Sequence, residues 1–343
     1  MSKERVTLSH VAQRAGVSAM TVSRALRSPD KVSPALLRRI EKIVAELGYV
    51  PNPAARALAS GRTNVIGALI PSVTNNVFSD VLRGIYAATE DGPFEVQLGN
   101  TRYSPLTEEK LLAVFLSQKP AGLIVTGIDQ SPASRRMLEG ASCPIVQIME
   151  IGSGPIDMMI GFSHYDGAAA ATRHLIETGS RFPAFVGARM DPRTQRRFAG
   201  FRDVCSAAGC FSMSRCVTTP TPSTVTLGTR LFADLVARHP EVDGVFCNND
   251  DLALGILFEA QRRCIAIPEK LTVCGFNDLE MMAAAEPSIT SVRTPRFAIG
   301  RRAVEMIVAR LADPGPDTGR GAAERVDTGF ELVARQSTAR RPR

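Results

Sequence analysis

The sequence predicts an α/β protein that has a small helical module at its amino end and two doubly wound parallel-sheet subdomains behind it. The first 62 residues hold all of the excess positive charge, and capping and turn residues punctuate helical patterns between residues 7 and 48. From residue 65 onward, short apolar runs alternate with helical patterns. Such alternation is typical of parallel sheets covered on both faces. The strands are too many for one compact sheet, so we predict two subdomains and a ligand cleft beyond the carboxyl ends of their strands.

The charge is concentrated in one part of the chain. The 343 residues carry a net charge of +7, and residues 1–62 alone contain eleven Lys and Arg against four Asp and Glu. The remainder of the chain is therefore electrically neutral. A basic module attached to a neutral body is the footprint expected of a protein that binds nucleic acid.

Composition argues against several other classes of protein. Hydrophobic residues make up 44% and charged residues 22% of the chain, as in ordinary soluble domains. No apolar run reaches the roughly 18 residues of a membrane span, and the amino end has no signal-peptide core, so we expect a cytoplasmic protein without a membrane partner. The seven cysteines form no Cys-x-x-Cys pair, and the four histidines have no metal-binding spacing. We therefore predict no metal, no cofactor and no disulfide framework.

Residues 1–50 are predicted to form a helix-turn-helix module of three helices. Capping and turn residues stand at suitable places for each helix. They are Thr7 and Ser18 as caps, Gly16 in the tight turn, Ser33-Pro34 at the start of the third helix and Gly48 at its end. In such a unit the second helix enters the major groove of DNA. The alternative is a small helical domain whose charges only face solvent.

Residues 51–62 are predicted to form a linker that contains a short helix. Pro51 and Pro53 keep the start of this segment extended, and residues 54–59 have the composition of one or two helical turns. A helix this short is unstable alone. We therefore expect it to fold when it meets DNA and a symmetry partner together.

Motifs along nearly the whole chain resemble those of the lactose-repressor (LacI/GalR) family, in the same order. In the amino-terminal part they are Val6–Ala12, Ala15–Arg24, Val32–Pro34 and Leu47–Asn52. In the body they are Asn64–Gly67, Gly161–Ser163, Arg197–Phe201, Asn248–Gly255, Gly275–Asp278 and Ile289–Arg293. The stretches Gly187–Asp191 and Gly244–Asp251 also look like the gluconate-operon repressors of that family. The resemblance implies a DNA-binding headpiece, a hinge helix and a core similar to periplasmic sugar-binding proteins.

The resemblance implies a set of DNA-contacting residues in the headpiece and the hinge. In the headpiece they are Thr7, Leu8, Ser18, Ala19, Met20, Thr21, Ser23, Arg24, Arg27, Lys31 and Ser33, and in the hinge Asn52, Ala55, Arg56 and Leu58. Arg24 can form a bidentate contact with guanine, whereas Ala19 and Met20 can only touch thymine methyls or exclude a competing base. Leu58 is expected to wedge between the two central base pairs and kink the duplex. Its alternative is packing against the body.

The resemblance also implies that the chain crosses between the subdomains near residues 162, 293 and 324. The domains are then the headpiece (1–50), the hinge and linker (51–62), and the effector-binding and dimerisation core (63–343). Subdomain one takes about 63–162 and 293–323, and subdomain two about 163–292 and 324–340.

The ligands of the family's cleft fall on eight positions of this chain. They are Asn76, Phe78, Glu150, Phe162, Arg193, Arg197, Asn249 and Asn277. Some of these residues have a purely structural alternative, because arginines at a helix start can face solvent and Asn249 can be a helix cap. Family members often place a carboxylate where this chain has Asn277. An amide there, beside Arg197 and Arg193, suits an anionic ligand, so we predict a sugar acid such as gluconate or a keto-gluconate.

These inferences together predict a homodimeric repressor that binds pseudo-palindromic operator DNA and is released by the effector. A corepressor-dependent regulator or an activator would use the same parts. The competing classes are an enzyme and a solute-binding protein on the same fold. No dinucleotide-binding, phosphate-binding or nucleophile-elbow motif occurs, so no catalytic residue is predicted. The tail has no leucine heptads for a tetramer, which favours a dimer.

Overall fold

The structure, a computed structural model, describes residues 6–27, 29–50, 62–313 and 323–339. The chain divides into two units, Met1–Thr63 and Asn64–Arg343.

The described part of the amino-terminal unit contains three α-helices. They are α1 (Leu8–Ala15), α2 (Ala19–Arg27) and α3 (Pro34–Leu47), with a single 3-10 turn at Pro29–Lys31. Gly16 and Gly48 end α1 and α3 with φ of 62° and 60°, a conformation that glycine adopts without strain. Val11, Val22 and Ile40 are fully buried where the three helices meet. The predicted helix-turn-helix architecture is confirmed.

The body contains two six-stranded sheets. Its described strands are β1 (Val65–Ile70), β2 (Glu95–Asn100), β3 (Gly122–Thr126), β4 (Ile145–Ile148), β5 (Met158–Gly161), β6 (Pro183–Ala188), β7 (Cys216–Thr219), β8 (Gly244–Cys247), β9 (Thr272–Asn277), β10 (Thr290–Arg293), β11 (Glu324–Asp327) and β12 (Glu331–Val333). The first sheet has the order β11-β5-β4-β3-β1-β2 and the second the order β12-β10-β9-β8-β6-β7. Every pair is parallel except β10 with β12.

Helices cover both faces of the sheets. In the described body they are α4 (Asn76–Thr89), α5 (Pro105–Ser117), α6 (Pro132–Glu139), α7 (His164–Glu177), α8 (Pro192–Ala207), α9 (Val225–Arg238), α10 (Asp250–Arg262), α11 (Glu280–Ala284) and α12 (Arg296–Ala312). Strands β4, β6, β8 and β9 are buried along their whole length. Burial on both faces explains why these strands read as continuous apolar runs. The predicted pair of doubly wound subdomains is confirmed.

None of the helices in the described ranges combines the length and the apolar character that a membrane crossing needs.

The described chain passes between the two subdomains three times. The first two crossings run from β5 to α7 and from β10 to α12. The third falls later than the predicted residue 324, because Glu324–Asp327 pairs with β5 in the first sheet. These residues belong to subdomain one, not to subdomain two. Gly329, with φ of 62°, turns the chain between β11 in the first sheet and β12 in the second.

Two helices of subdomain one, α4 and α12, approach each other at two glycines. A Cβ atom built on Gly84 would lie 2.1 Å from the carbonyl oxygen of Phe297, and one built on Gly300 would lie 2.0 Å from that of Val81. No side chain fits at either glycine. The two backbones therefore touch directly and form one closely packed pair.

Candidate nucleic-acid interface and ligand cleft

The start of α2 presents a mixed polar and apolar surface. Ser18 caps this helix, because its Oγ accepts a hydrogen bond from the Thr21 backbone N at 3.1 Å. Met20 is 70% exposed. Ser18 and Arg24 are also exposed, whereas Ala19 packs partly against the headpiece core. A donor and an apolar side chain on the first turns of such a helix can contact base edges.

The other residues of the predicted DNA-contacting set differ in exposure. Thr7, Lys31 and Ser33 are exposed, Thr21 and Ser23 are half-buried, and Leu8 packs partly in the core. Arg27 is the last residue of α2. Asn52, Ala55, Arg56 and Leu58 lie outside the described residues. The DNA-contacting set stays a prediction.

We expect Arg24→Ala and Lys31→Ala to weaken DNA binding in different ways. Loss of a base contact costs about 1–3 kcal/mol on the specific site only, whereas loss of a phosphate contact weakens all duplexes alike and lowers the salt slope by about one. Fluorescence anisotropy on a selected operator and on a scrambled duplex, at several salt concentrations, separates the two. Equal losses on both duplexes for Arg24→Ala would assign it to the phosphate backbone.

A cleft lies between the subdomains, lined by residues that follow β1, β6, β8 and β9. Three helices begin at this cleft, and their caps Asn75, Asp191 and Asn249 line it. The cap side chains accept backbone N–H hydrogen bonds at 3.0, 2.9 and 3.1 Å. Helix amino ends carry partial positive charge. Their convergence therefore favours an anion in the cleft.

Arg197 is a cleft residue that is only 8% exposed. Its Nε donates to His164 Nδ1 at 3.1 Å, and its Nη1 donates to the carbonyl oxygen of Asn248. Its guanidinium lies 3.8 Å from the ring centroid of Phe276. Burial lowers the pKa of Arg197 to about 10, so it stays charged at neutral pH. None of the carboxylates in the described ranges forms an ion pair with it.

His164 and Glu150 are buried together beside Arg197. Because His164 Nδ1 accepts from Arg197, its Nε2 carries the proton and donates to the Met149 carbonyl oxygen at 2.9 Å. Burial and the charge of Arg197 hold the pKa of His164 well below its usual value, which keeps the imidazole neutral. Burial also raises the pKa of Glu150 to about 7, although Arg196 opposes the shift.

The remaining arginines near the start of α8 have different surroundings. Arg193 lines the cleft and lies 3.4 Å from Asp191. Arg196 bridges to subdomain one, where its two Nη atoms donate to Asp129 at 2.6 and 2.9 Å and Nη1 donates to Glu150 at 3.1 Å. The solvent-facing alternative therefore holds for neither of them.

Asn277 and Asp278, at the end of β9, have different surroundings. Asn277 lines the cleft and is 2% exposed, and its Oδ1 has no hydrogen-bond partner among the described residues. Asp278 instead pairs with Arg293 at 2.8 Å and with Arg335 at 2.6 Å. The cleft is thus offered an unsatisfied amide oxygen, while the neighbouring carboxylate is already neutralised.

Three other carboxylates line the cleft, and each has a partner. Asp191 caps α8, and Asp251 accepts from Ser223 Oγ at 3.3 Å. Asp250 accepts from Ser291 Oγ at 2.6 Å and from the Leu279 N at 2.7 Å. Burial raises the pKa of Asp250 to about 7. Asp191, Asp250 and Glu150 are near enough to favour the charged form of Arg197, yet none of these engaged acids forms a direct ion pair with it.

Five of the eight predicted effector residues line the cleft: Phe78, Arg193, Arg197, Asn249 and Asn277. The other three do not. Asn76 is the exposed first residue of α4, Glu150 is buried against Arg196, and Phe162 is buried with its ring 4.5 Å from that of His164.

Sequence reasoning missed an aromatic–cation contact in the cleft lining. The Arg189 guanidinium lies 3.8 Å from the Tyr103 ring centroid, and both residues line the cleft. Tyr103 belongs to subdomain one and Arg189 to subdomain two. No motif or spacing in the sequence joins two residues so far apart.

Replacement of Glu150 by Gln is expected to change how stability depends on pH. Because the pKa of Glu150 is higher in the folded than in the unfolded chain, its stabilising contribution is complete below about pH 4.5 and is lost as pH rises through about 7. The free energy of unfolding of Glu150→Gln minus that of the wild type, measured by denaturant titration, should rise between pH 5 and 7.5 by on the order of 2 kcal/mol. The subtraction cancels the opposite contributions of His164 and His174, whose pKa values burial lowers. A flat difference would contradict the raised pKa.

Comparison with known proteins bears on both parts of the chain. Residues 7–52 match the family described as bacterial regulatory proteins, lacI family, and residues 172–338 match the periplasmic binding protein-like domain. The chain is 44% identical over 334 residues to the HTH-type transcriptional regulator GntR of Pseudomonas aeruginosa, covering 97% of this chain and 96% of that protein. A crystal structure of a LacI-family transcriptional regulator from Silicibacter pomeroyi is 34% identical with a TM-score of 0.89, covering 97% and 99% of the two chains. The transcriptional regulator CelR in complex with cellobiose is 27% identical with a TM-score of 0.69, covering 97% and 100%.

A helix-turn-helix unit joined to a two-subdomain body with a ligand cleft defines a DNA-binding transcription regulator. This chain belongs to the LacI family of bacterial regulatory proteins.

Proposed function

We propose that the protein represses genes of sugar-acid catabolism, binds a pseudo-palindromic operator as a homodimer, and is released when a sugar acid such as gluconate occupies the cleft. The observation that carries the effector class is the charge of Arg197, which is buried in the cleft without an ion pair among the described residues. A buried cation is costly unless it is paired. The carboxylate of a sugar acid is the partner that this arrangement lacks.

The cleft also supplies groups for the hydroxyls of such a ligand. The unpartnered Oδ1 of Asn277 accepts from a hydroxyl, and the amide of Asn249 lies at the amino end of α10. The converging helix amino ends reinforce the preference for an anion. The CelR–cellobiose complex supports a carbohydrate in this cleft, since that regulator shares the fold over 97% of this chain. The anionic head distinguishes the ligand proposed here from a neutral sugar.

Exposed apolar side chains on two packed helices of subdomain one support the homodimer. Tyr86 on α4 and Phe297 and Val308 on α12 are 47%, 42% and 40% exposed. These two helices pack against each other, so the three side chains belong to one helix pair. A second copy of the chain is the partner that a palindromic operator requires, because each headpiece then reads one half-site.

The relatives are transcription regulators, and we assign this chain no catalytic role. Its place of action is the cytoplasm, where bacterial operators lie. We assign the DNA-reading surface to the six predicted contacts that are exposed, which are Thr7, Ser18, Met20, Arg24, Lys31 and Ser33.

Isothermal titration calorimetry against D-gluconate, 2-keto-D-gluconate, D-glucose and D-galactose tests the effector class. We expect saturable binding of at least one acid and no binding of the neutral sugars. Fluorescence anisotropy of the operator in the presence of the bound acid then shows whether the acid lowers or raises DNA affinity. Weaker DNA binding supports release, and stronger DNA binding would make the acid a corepressor. Binding of a neutral sugar without response to any acid would reject the proposal.

A further inference from the structure

Arg296 stands at the second crossing between the subdomains, as the first residue of α12, and is 7% exposed. Its Nε and Nη2 donate to Asp80 Oδ2 at 3.1 and 2.7 Å, which ties it to α4 in subdomain one. Its Nη1 donates to the carbonyl oxygen of Asn277 at the end of β9 in subdomain two, and to Thr294 Oγ1 at 3.1 Å. One buried guanidinium thus contacts both subdomains at once.

The subdomain-two end of this contact is a cleft residue. Asn277 lines the cleft with an unpartnered Oδ1, and its backbone has φ of 112°, a conformation that is strained for any residue other than glycine. The contact from Arg296 to its carbonyl oxygen and the hydrogen bond from the next backbone N to Ser291 Oγ at 3.1 Å hold the backbone in this state. A ligand that binds the Asn277 side chain acts on the same strained residue that Arg296 holds.

The subdomain-one end of the contact is the rigid pair of α4 and α12. The two helices touch backbone to backbone at Gly84 and Gly300, and Arg296 on one of them pairs with Asp80 on the other. Arg296 is part of α12, and Asp80 is on the second turn of α4. A displacement of the Arg296 guanidinium is therefore passed to the whole helix pair, which carries the exposed apolar side chains assigned above to the second copy.

We propose that Arg296 is a positioning residue that couples occupancy of the cleft at Asn277 to the position of the α4–α12 pair. This inference rests on the proposed function, because it needs a ligand that regulates DNA binding. Two arrangements with different hydrogen bonds at Asn277 are what a ligand must distinguish in order to shift the equilibrium between them. The planar fork of arginine serves both Asp80 and Asn277 at once, which a lysine ammonium on one flexible stem does not.

The test compares Arg296→Lys with the matched control Arg301→Lys in the full-length protein. Arg301 lies on the same helix and pairs with Glu305 at 2.9 Å on the surface. The probe is D-gluconate, measured by calorimetry on the free protein and by its effect on operator affinity. In the wild type and Arg301→Lys we expect the acid to change operator affinity about tenfold or more, within the usual range of coupling. In Arg296→Lys we expect that change to fall below about threefold while the acid still binds.

An unchanged response of operator affinity in Arg296→Lys would overturn the coupling role. Loss of acid binding in this variant would overturn it too, because Arg296 would then shape the cleft instead of coupling it. Asp80→Asn, which keeps a hydrogen-bond acceptor but removes the charge, is expected to reduce the response in the same direction.

A ligand-free measurement separates failure of this inference from failure of the proposed function. If no sugar acid binds the wild type, the proposed effector is wrong, and hydrogen exchange decides on Arg296. A contact that spans the subdomains predicts faster exchange in Arg296→Lys than in Arg301→Lys both at residues 277–279 and in α4. Faster exchange in α4 alone, or in neither segment, would refute it.

Discussion

Removal of residues 1–62 is expected to abolish specific operator binding, with a loss of at least about 10³-fold, the usual margin between specific and non-specific affinity. The removed segment holds the complete positive excess of the chain and the whole helix-turn-helix unit. Anisotropy titrations of the full and shortened chains against the same operator measure the effect. The salt dependence of binding should disappear with the affinity, because the phosphate contacts go with the same residues.

The shortened chain is expected to keep its fold and its ligand. Its residues form a separate unit with their own buried clusters. Cooperative thermal unfolding and an unchanged calorimetric titration with the sugar acid are the controls. Operator affinity that survives the truncation would show that the body binds DNA, and the assignment of the headpiece would fall.

Arg197→Ala is expected to lower sugar-acid affinity by about 100-fold or more while operator binding in the absence of the acid stays within about threefold. Truncating one partner of a buried charge pair typically costs about 2–5 kcal/mol. The exposed Arg202 on the same helix pairs with Asp203 at 2.8 Å, so Arg202→Ala is the matched control and should bind the acid normally. Calorimetry and operator anisotropy on both variants give the comparison.

Arg197 also stabilises the structure around it, because it donates hydrogen bonds to His164 and to the carbonyl oxygen of Asn248. Arg197→Lys therefore accompanies the alanine variant, because it keeps the charge and loses the planar fork. We expect its acid affinity to lie between those of the wild type and Arg197→Ala. Normal acid binding by Arg197→Ala would move the anion site elsewhere in the cleft, and joint loss of acid and operator binding would indicate a folding defect.

Local signals in the sequence predict the headpiece well. Gly16, Ser18 and Gly48 act within a few residues of themselves, and the structure has them at the turn, cap and helix end that their chemistry favours. For Asn249 the sequence left two alternatives, a helix cap and a cleft residue, and the structure shows that the same side chain is both. In this fold a helix begins near the carboxyl end of the strand before it, and the cleft lies at the same ends of the strands. The cap residue of such a helix therefore faces the cleft.

Features that depend on contacts across the body are not predictable from local pattern. Strands β5 and β7 are only four residues long, and the sequence of β7, Cys-Val-Thr-Thr, has no clear alternation or apolar run. The bridge from Arg196 to Asp129 and the neutralisation of Asp278 by Arg335 join residues 67 and 57 positions apart. Nothing at either end of such a pair identifies its partner before the chain is folded.

The three crossings also fix how the body can move. They link β5 to α7, β10 to α12 and β11 to β12. Strands β11 and β5 lie at one edge of the first sheet, and strands β12 and β10 at one edge of the second. Because the chain joins the two subdomains along one edge, they can rotate relative to each other about that edge. The displacement of a residue then grows with its distance from the edge. Strands β1 and β6, whose ends border the cleft, are fifth from the edge in their sheets. A ligand that contacts Asn277, Asn249 and Arg197 reaches residues at or after the ends of the third, fourth and fifth strands from that edge, so its hydrogen bonds act at a distance from the axis of rotation and set the angle between the two halves.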